Sequence, residues 1–345
     1  MRSELTWPIV TGLVMAGSNG CDYWRSIVPF EIMNRHKFST YIATYGEALH
    51  HKPDVLVCNR LGLGNDDAAL SLIRQSHAVG TAVVVDNDDD SRIIPEDSPH
   101  YQGTVKRDAG IRAMRAADLV TCTTTVLAKR FKLENPNVAV LPNLVNTAHW
   151  RDLPKRTGPL TIGVHGGDSH YNDWGILEYL IPQIASLYPE VRFMFAGYTP
   201  SWTNSLKYKL GDRIVILPWT DLETYRHNVN QMDIGLCPLP DTEFNKAKSP
   251  IKWFEHTMCG APVVASPTVY EDYIHNGYTG WIAKDYFDWT TAIRCLIDNP
   301  SQRRLMARRA KLAVISSWTM TKERAIQRMQ IYRQTWREVI DGGAN

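Results

Sequence analysis

The segment Asn245–Ser266, NKAKSPIKWFEHTMCGAPVVAS, is the most informative part of this sequence for its fold. Residues 250–258 have the spacing of an amphipathic helix, and the Ser-Pro pair before them is typical of a helix start. A Cys-Gly-Ala-Pro turn then leads into the β-branched run 262–265, which predicts a short buried strand. The segment therefore predicts a helix followed by a strand of an α/β domain.

The same segment carries groups that suit a nucleoside diphosphate. Lys248 and Lys252 lie four residues apart, so a helix that begins at Ser249 places them on one face. The free N–H groups and positive dipole end of such a helix suit a phosphate, and lysine adds a point charge. Glu255, about two turns in, can accept hydrogen bonds from a ribose diol. The alternative is an ordinary surface helix with Ser249 as its cap and Pro250 at its first position.

Short β-branched runs alternate with amphipathic patterns along the chain, which predicts parallel sheets covered on both faces. The predicted strands are 9–15, 54–58, 82–85, 119–121, 138–141, 160–164, 191–196, 214–216, 234–236 and 262–265. The predicted helices are 24–35, 66–78, 104–116, 174–187, 221–230, 250–258 and 290–297, with two more in the tail 299–338. The Pro-, Gly- and charge-rich stretch 150–159 separates two such series, so we expect two doubly wound domains.

The composition narrows the protein class. The chain has 345 residues, 44% hydrophobic and 21% charged, and a net charge of +2, so neither half is a basic domain that binds nucleic acid by bulk electrostatics. No run of eighteen apolar residues and no signal peptide is evident, so we expect a soluble cytoplasmic protein without stable membrane insertion. The six cysteines lack a C-x-x-C spacing, which favours buried reduced thiols.

Residues 245–266 resemble the donor-binding motif of retaining, family-4-type GT-B glycosyltransferases, and most closely the bacterial and phage branch that reads N-x-x-K-S-x-x-K-x-x-E followed by G-x-P-V-V-A-S. Three other stretches agree in the right order. Residues 116–125 resemble A-D-x-V-x-x-x-S/T, 140–145 resemble v-l-P-N-g-v, and 277–281 resemble G-x-T-G. The resemblance covers roughly residues 12–340 and is strongest over 245–266.

The resemblance implies an α/β GT-B fold with two doubly wound Rossmann-like domains that face a central cleft. It implies an acceptor domain over 1–150, a nucleotide-sugar donor domain over 156–320, and a C-terminal helix, about 322–340, that crosses back to the first domain. The implied enzyme is a hexosyl- or pentosyltransferase that moves a sugar from a nucleoside-diphosphate sugar, most often a UDP-sugar, to an acceptor hydroxyl with retention of configuration. We expect no metal and no cofactor besides this co-substrate.

The turn 163–170 follows a predicted strand, and Gly166 and Gly167 there let the backbone approach a diphosphate. The wider family has an arginine and a lysine after this turn, which this sequence lacks. We therefore expect His170 to donate a hydrogen bond to the leaving phosphate, with Lys248 carrying more of the charge. A loop histidine bonded to local backbone is the alternative. The wider family also has a glutamate that helps hold the sugar, at the position of Ala247.

The first domain offers two candidate elements. Its Gly-rich loop 17–20 could bind donor or acceptor through Asn19 and Gly20, with Arg25 reaching phosphate or acceptor; a plain tight turn is the alternative. The acidic tract 86–90 follows a predicted strand. Within it, Asp88 or Asp89 is expected to touch acceptor or donor sugar, although such a tract can also hold Mg²⁺ or Mn²⁺, or simply form a solvated loop.

Several functions stay open at this point. The acceptor could be a saccharide, a lipid-linked sugar, or a modified nucleobase in DNA, as for phage DNA glycosyltransferases. An NDP-sugar epimerase uses the same fold without an acceptor. A non-catalytic nucleotide-sugar-binding subunit would explain the missing glutamate and the missing Arg/Lys pair.

Overall fold

The structure is a computed structural model, and it describes residues 6–14, 20–60, 66–96, 98, 101, 103–151, 153–154, 157–167, 170 and 172–342, with only the backbone of residues 66 and 103–106. Two six-stranded parallel sheets form its two domains. Within the described ranges, every helix is too short or too polar to cross a lipid bilayer.

The first sheet has the strand order β2-β1-β3-β4-β5-β6, and all its neighbours are parallel. Its strands are β1 (Val10–Leu13), β2 (Thr40–Ala43), β3 (Val55–Asn59), β4 (Ala82–Asn87), β5 (Leu119–Cys122) and β6 (Val138–Val140). Its helices are α1 (Gly20–Asp22), α2 (Val28–Arg35), α3 (Asp66–Ala78), α4 (Gly103–Ala116) and α5 (Thr125–Phe131), and a π-helical turn, Tyr23–Ile27, joins α1 to α2. Strands β1, β3 and β5 are buried throughout, as expected for a sheet covered on both faces.

The second sheet has the strand order β12-β11-β10-β7-β8-β9, again with parallel neighbours. Its strands are β7 (Thr161–Gly166), β8 (Arg192–Gly197), β9 (Ile214–Leu217), β10 (Ile234–Cys237), β11 (Val263–Ala265) and β12 (Trp281–Ile282). Its helices are α6 (Leu177–Leu187), α7 (Thr203–Leu210), α8 (Leu222–Asn230), α9 (Ile251–Met258) and α10 (Tyr286–Asp298). The strand order reverses between β7 and β10, and ligands of doubly wound sheets bind at the carboxyl ends of the strands at such a point.

The last two helices are α11 (Pro300–Trp318) and α12 (Lys322–Gly342). Helix α12 returns to the first domain, where it packs on α2 and contacts β3 and β4. Met329 and Tyr332 of α12 are fully buried in the same apolar cluster as Phe30 of α2. The predicted GT-B architecture with a crossing C-terminal helix is therefore confirmed.

Strands β2 and β12 and helices α5 and α7 were absent from the sequence-based prediction. Each sheet places the missed strand at an edge. Tyr41 and Ile42 in β2 are exposed neighbours, so the strand has no alternating apolar pattern, and β12 has only two residues. Helices α5 and α7 have seven and eight residues, too few to establish a helical period.

Arg25 lies inside the first domain instead of at its surface. Its guanidinium donates to both carboxylate oxygens of Asp86 at 2.7 Å and to the carbonyl of Leu141 at 2.6 Å. Burial alone would lower the pKa of Arg25, but Asp86 outweighs burial and raises it, so the side chain stays charged. Because Arg25 is 2% exposed and its donors are engaged, the prediction that it reaches a phosphate or acceptor is wrong.

Replacing Asp86 by asparagine tests this buried ion pair. Asp86→Asn keeps the shape but leaves the charge of Arg25 without its counterion, so the free energy of unfolding should fall by about 3–5 kcal/mol. Guanidinium denaturation followed by circular dichroism measures the loss. The control, Asp212→Asn, breaks an exposed pair with Lys207 and should leave the transition unchanged. A loss no larger than that of the control would mean that the buried charge needs no counterion.

Candidate functional site

Helix α9 begins at Ile251, one residue after the start of the predicted helix 250–258 and two residues after Ser249. Lys248 has extended backbone angles, Pro250 is the capping residue, and no side chain caps the helix. The hydroxyl of Ser249 instead accepts a hydrogen bond from Asn143 Nδ2 of the first domain at 2.9 Å. The interpretation of Ser249 as the helix cap is therefore wrong. Its side chain instead contributes to the contact between the domains.

Lys248 and Lys252 do not share a helical face, because Lys248 precedes the helix. Lys248 Nζ lies 3.7 Å from Asp89 Oδ1 and 4.6 Å from the ring centre of Phe244. Lys252 Nζ lies 3.2 Å from Glu255 Oε2. The side chains of Lys248 and Lys252 are 11% and 19% exposed, so each ammonium is held at a partly enclosed surface with a carboxylate beside it.

Glu255 belongs to a buried hydrogen-bond network that the sequence did not reveal. Its Oε2 accepts from the Tyr225 hydroxyl at 3.0 Å and from Lys252. Since Tyr225 donates its only hydrogen to Glu255, it must accept the hydrogen bond from His165 Nδ1, which lies 2.6 Å from it. Burial, and then the neighbouring His256 and Lys252, lower the pKa of His165, so this ring is neutral. The network holds the carboxylate of Glu255 in one orientation.

The glycine turn follows β7 at the strand-order reversal. Gly166 is paired in register with Gly197 of β8, and a side chain on Gly197, whose φ is +98°, would strike the carbonyl of Gly166. A Cβ on Gly166 would lie 2.7 Å from Cδ2 of His170. Glycine is therefore required for the His170 ring to sit against the strand end. Gly167 faces Trp219, whose side chain is about half exposed.

His170 is held by a carboxylate that also reaches the approach to α9. Its Nδ1 lies 2.7 Å from Asp173 Oδ2, and Asp173 Oδ1 accepts from Asn245 Nδ2 at 2.9 Å. Burial lowers the pKa of His170; Asp173 raises it and Lys248 lowers it further, with a net decrease. The ring is then neutral with its hydrogen on Nδ1, so Nε2 accepts hydrogen bonds in this state. The predicted donation to a phosphate requires one additional proton.

The acidic tract is paired with basic groups on both sides of the cleft. Asp88 Oδ1 accepts from Arg60 Nε at 2.8 Å, and Asp89 lies between Arg60 at 3.4 Å and Lys248 at 3.7 Å. Burial would raise the pKa of Asp88, but Arg60 outweighs burial and lowers it to about 2. Among the described residues, no group of three or more His, Cys, Asp or Glu side chains is arranged to hold a metal ion.

Arg60 and Asn143 are site residues that the sequence analysis missed. Both follow the carboxyl ends of first-domain strands, and Asn143 is also the asparagine of the stretch 140–145 that resembles v-l-P-N-g-v. Arg60 has a φ of +52°, an uncommon conformation for a residue other than glycine. Of the predicted loop, Asn19 lies outside the described residues, and Gly20 begins α1 without a described ligand-binding feature.

The second domain matches a known enzyme family. Residues 161–299 match the family described as Glycosyl transferases group 1. The putative teichuronic acid biosynthesis glycosyltransferase TuaH of Bacillus subtilis (strain 168) is 24% identical over 182 residues, which are 48% of this chain and 44% of that protein. The chain therefore matches less than half the length of this relative.

Solved structures share the whole fold at low sequence identity. Sucrose-phosphate synthase from Thermosynechococcus elongatus superimposes with a TM-score of 0.70 at 14% identity, over 95% of this chain and 99% of that one. HepE of Anabaena, solved in complex with UDP-glucose, superimposes with a TM-score of 0.64 at 12% identity, over 97% and 100%. These likenesses establish the fold. In sequence, the second domain is similar to the glycosyl transferases group 1 family over residues 161–299.

Proposed function

We propose that this protein transfers a sugar from a nucleoside-diphosphate sugar, most simply a UDP-sugar, to an acceptor hydroxyl, with retention of configuration and without a metal or other cofactor. The observation that carries the proposal is the position of Lys248. Its ammonium precedes the free end of α9, within 3.7 Å of the acidic tract of the other domain. A cation that meets both domains at the cleft suits a diphosphate whose sugar faces the acceptor side.

The donor is expected to bind along the second domain. The N–H groups of the first turn of α9 have no intrahelical partners and would bind the diphosphate together with Lys248 and the amides of Gly166 and Gly167. Tyr225 and Lys252 both bond to Oε2 of Glu255, which leaves Oε1 for a ribose hydroxyl. The half-exposed ring of Trp219 lies beside the glycine turn and offers a stacking surface for the base.

Departure of the nucleoside diphosphate builds negative charge on the β-phosphate. The charge of Lys248 and the helix dipole stabilise that charge where it develops, which lowers the barrier more than it tightens ground-state binding. The acceptor hydroxyl would attack directly, without a protein nucleophile, and would lose its proton to the departing phosphate, so no protein base is needed. When the Lys248 ammonium binds the diphosphate, it no longer pairs with Asp89. The Asp89 carboxylate can then bind a hydroxyl of the sugar or of the acceptor.

Several transfers would fit this site. Either a hexosyl or a pentosyl group could be carried, and the acceptor is a saccharide or lipid-linked sugar in the simplest case. A modified nucleobase in DNA is the alternative acceptor, and it would show a steep salt dependence of DNA binding.

Lys248→Ala should lower the turnover of sugar transfer by about a hundredfold or more, because it removes the charge that stabilises the leaving group. Lys246→Ala is the matched control, since this exposed lysine pairs with Asp241 and Glu243 instead of with Asp89. A nucleotide-release assay on a panel of UDP-sugars with saccharide acceptors measures both variants. Equal activity of folded Lys248→Ala and Lys246→Ala would remove Lys248 from the mechanism.

The same assay without an acceptor separates the proposal from its rivals. A transferase should convert the donor only slowly when no acceptor is present. Rapid change of UDP-sugar alone into its epimer would identify an epimerase. Tight donor binding in calorimetry without turnover on any acceptor would identify a binding subunit.

His170 should make donor binding depend on pH. It is neutral in the free protein because burial lowers its pKa, and a diphosphate beside it favours the protonated ring, so binding takes up a proton. The affinity for UDP-glucose should therefore rise as the pH falls from 8 to 6, by up to about tenfold per pH unit. Calorimetry at several pH values measures this slope. If His170→Asn keeps the slope of the native protein, another group takes up the proton.

A further inference from the structure

A line of three hydrogen-bonded side chains runs from the interior of the first domain to the start of α9. Arg25 Nη1 donates to Asn143 Oδ1 at 3.0 Å, and Asn143 Nδ2 donates to Ser249 Oγ at 2.9 Å. Arg25 and Asn143 are each 2% exposed, so water competes poorly for the first bond. The Arg25–Asn143–Ser249 line therefore links a fixed buried charge to the residue between Lys248 and Pro250.

The chemistry of these groups fixes the direction of each bond in the line. A guanidinium can only donate, so the amide oxygen of Asn143 must face Arg25 and its NH₂ group must face Ser249. An amide NH₂ group also only donates, so the Ser249 oxygen accepts and its hydrogen points elsewhere. None of the described residues accepts that hydrogen, although Ser249 is only partly exposed.

We propose that Arg25 and Asn143 are positioning residues that aim the hydroxyl hydrogen of Ser249 at the donor diphosphate. The inference rests on the proposed function, because it needs an anion beside the start of α9. A free serine hydroxyl rotates and can present either its hydrogen or a lone pair. Here the Ser249 oxygen already accepts a hydrogen bond from Asn143 Nδ2, so the hydroxyl is oriented as a donor before the anion binds. A preset donor needs no reorganisation when charge develops on the phosphate.

An aspartate at position 143 reverses the last bond of the line. A carboxylate only accepts, so in Asn143→Asp the Ser249 hydroxyl should turn its hydrogen inward and offer its lone pairs to the anion. Asn143→Ala removes the partner and lets the hydroxyl rotate. We therefore expect UDP affinity to fall slightly in Asn143→Ala and about tenfold in Asn143→Asp, close to the value of one hydrogen bond to a charged group. A purely structural role predicts the opposite order, because alanine is the larger truncation.

The experiment is a calorimetric titration with UDP of the native protein, both variants at 143, Ser249→Ala, and the double variant Asn143→Asp/Ser249→Ala. If the new carboxylate simply repels UDP, the loss of affinity should persist in the Ser249→Ala background. If the loss comes from the reversed direction of the Ser249 hydroxyl, it should vanish there. The loss caused by Asn143→Asp should therefore shrink to about threefold or less in the Ser249→Ala background. Glu243→Gln is the control, since it breaks an exposed contact with Arg130 between the same two domains and should bind UDP normally.

Two results would overturn the inference and leave the proposed function standing. One is native-like UDP affinity in folded Asn143→Asp; the other is a full loss that persists in the double variant. A folded native protein that binds neither UDP nor UDP-glucose would overturn both. If Asn143→Asp does not fold, the variants Ser249→Thr and Ser249→Ala are compared instead. Native UDP affinity in Ser249→Thr with a loss in Ser249→Ala would support the inference. Equal UDP affinity in the two variants would contradict it.

Discussion

The buried charge of Arg25 is the constraint on which the contact between the two domains depends. A guanidinium that water does not reach must have its charge neutralised and its donors satisfied, or the fold loses several kcal/mol. Asp86 at the end of β4 supplies the charge, and the carbonyl of Leu141 and the amide of Asn143 supply acceptors. One side chain thus fixes the π-helical turn before α2, the acidic tract and the loop after β6 relative to each other.

The apolar core continues this constraint into the second domain. Trp24, one residue before Arg25, packs on Phe254 of α9, and Phe254 packs on Trp318 at the end of α11. The Val145 amide donates to the carbonyl of Trp318 at 2.7 Å, so the chain is tied together where α11 turns into α12. The start of α9 therefore faces the acidic tract because its far side is anchored in a core shared by both domains.

Much of the fold could be predicted from the sequence, because ten of its strands are short apolar runs and their alternation with helices leaves few arrangements. The edge strand β2 could not, since its exposed residues follow no period. For the site, local sequence indicated Lys248, Gly166 and Glu255 as candidates, because their chemistry follows from neighbours in the chain. Contacts such as Arg25 with Asp86 join residues 61 positions apart, so a surface arginine and a buried one look identical in sequence.

The alanine at position 247 shows how the site departs from the pattern that its motif resembles. Ala247 is 1% exposed, packs into the core cluster of the first domain, and its carbonyl accepts from Thr124 Oγ1 at 3.0 Å. A glutamate here would bury a charge against apolar side chains, which is strongly unfavourable without a partner. The position serves domain contact in this protein, so any carboxylate that holds the donor sugar must come from elsewhere. Asp89, across the cleft beside Lys248, is the carboxylate that we propose for this role.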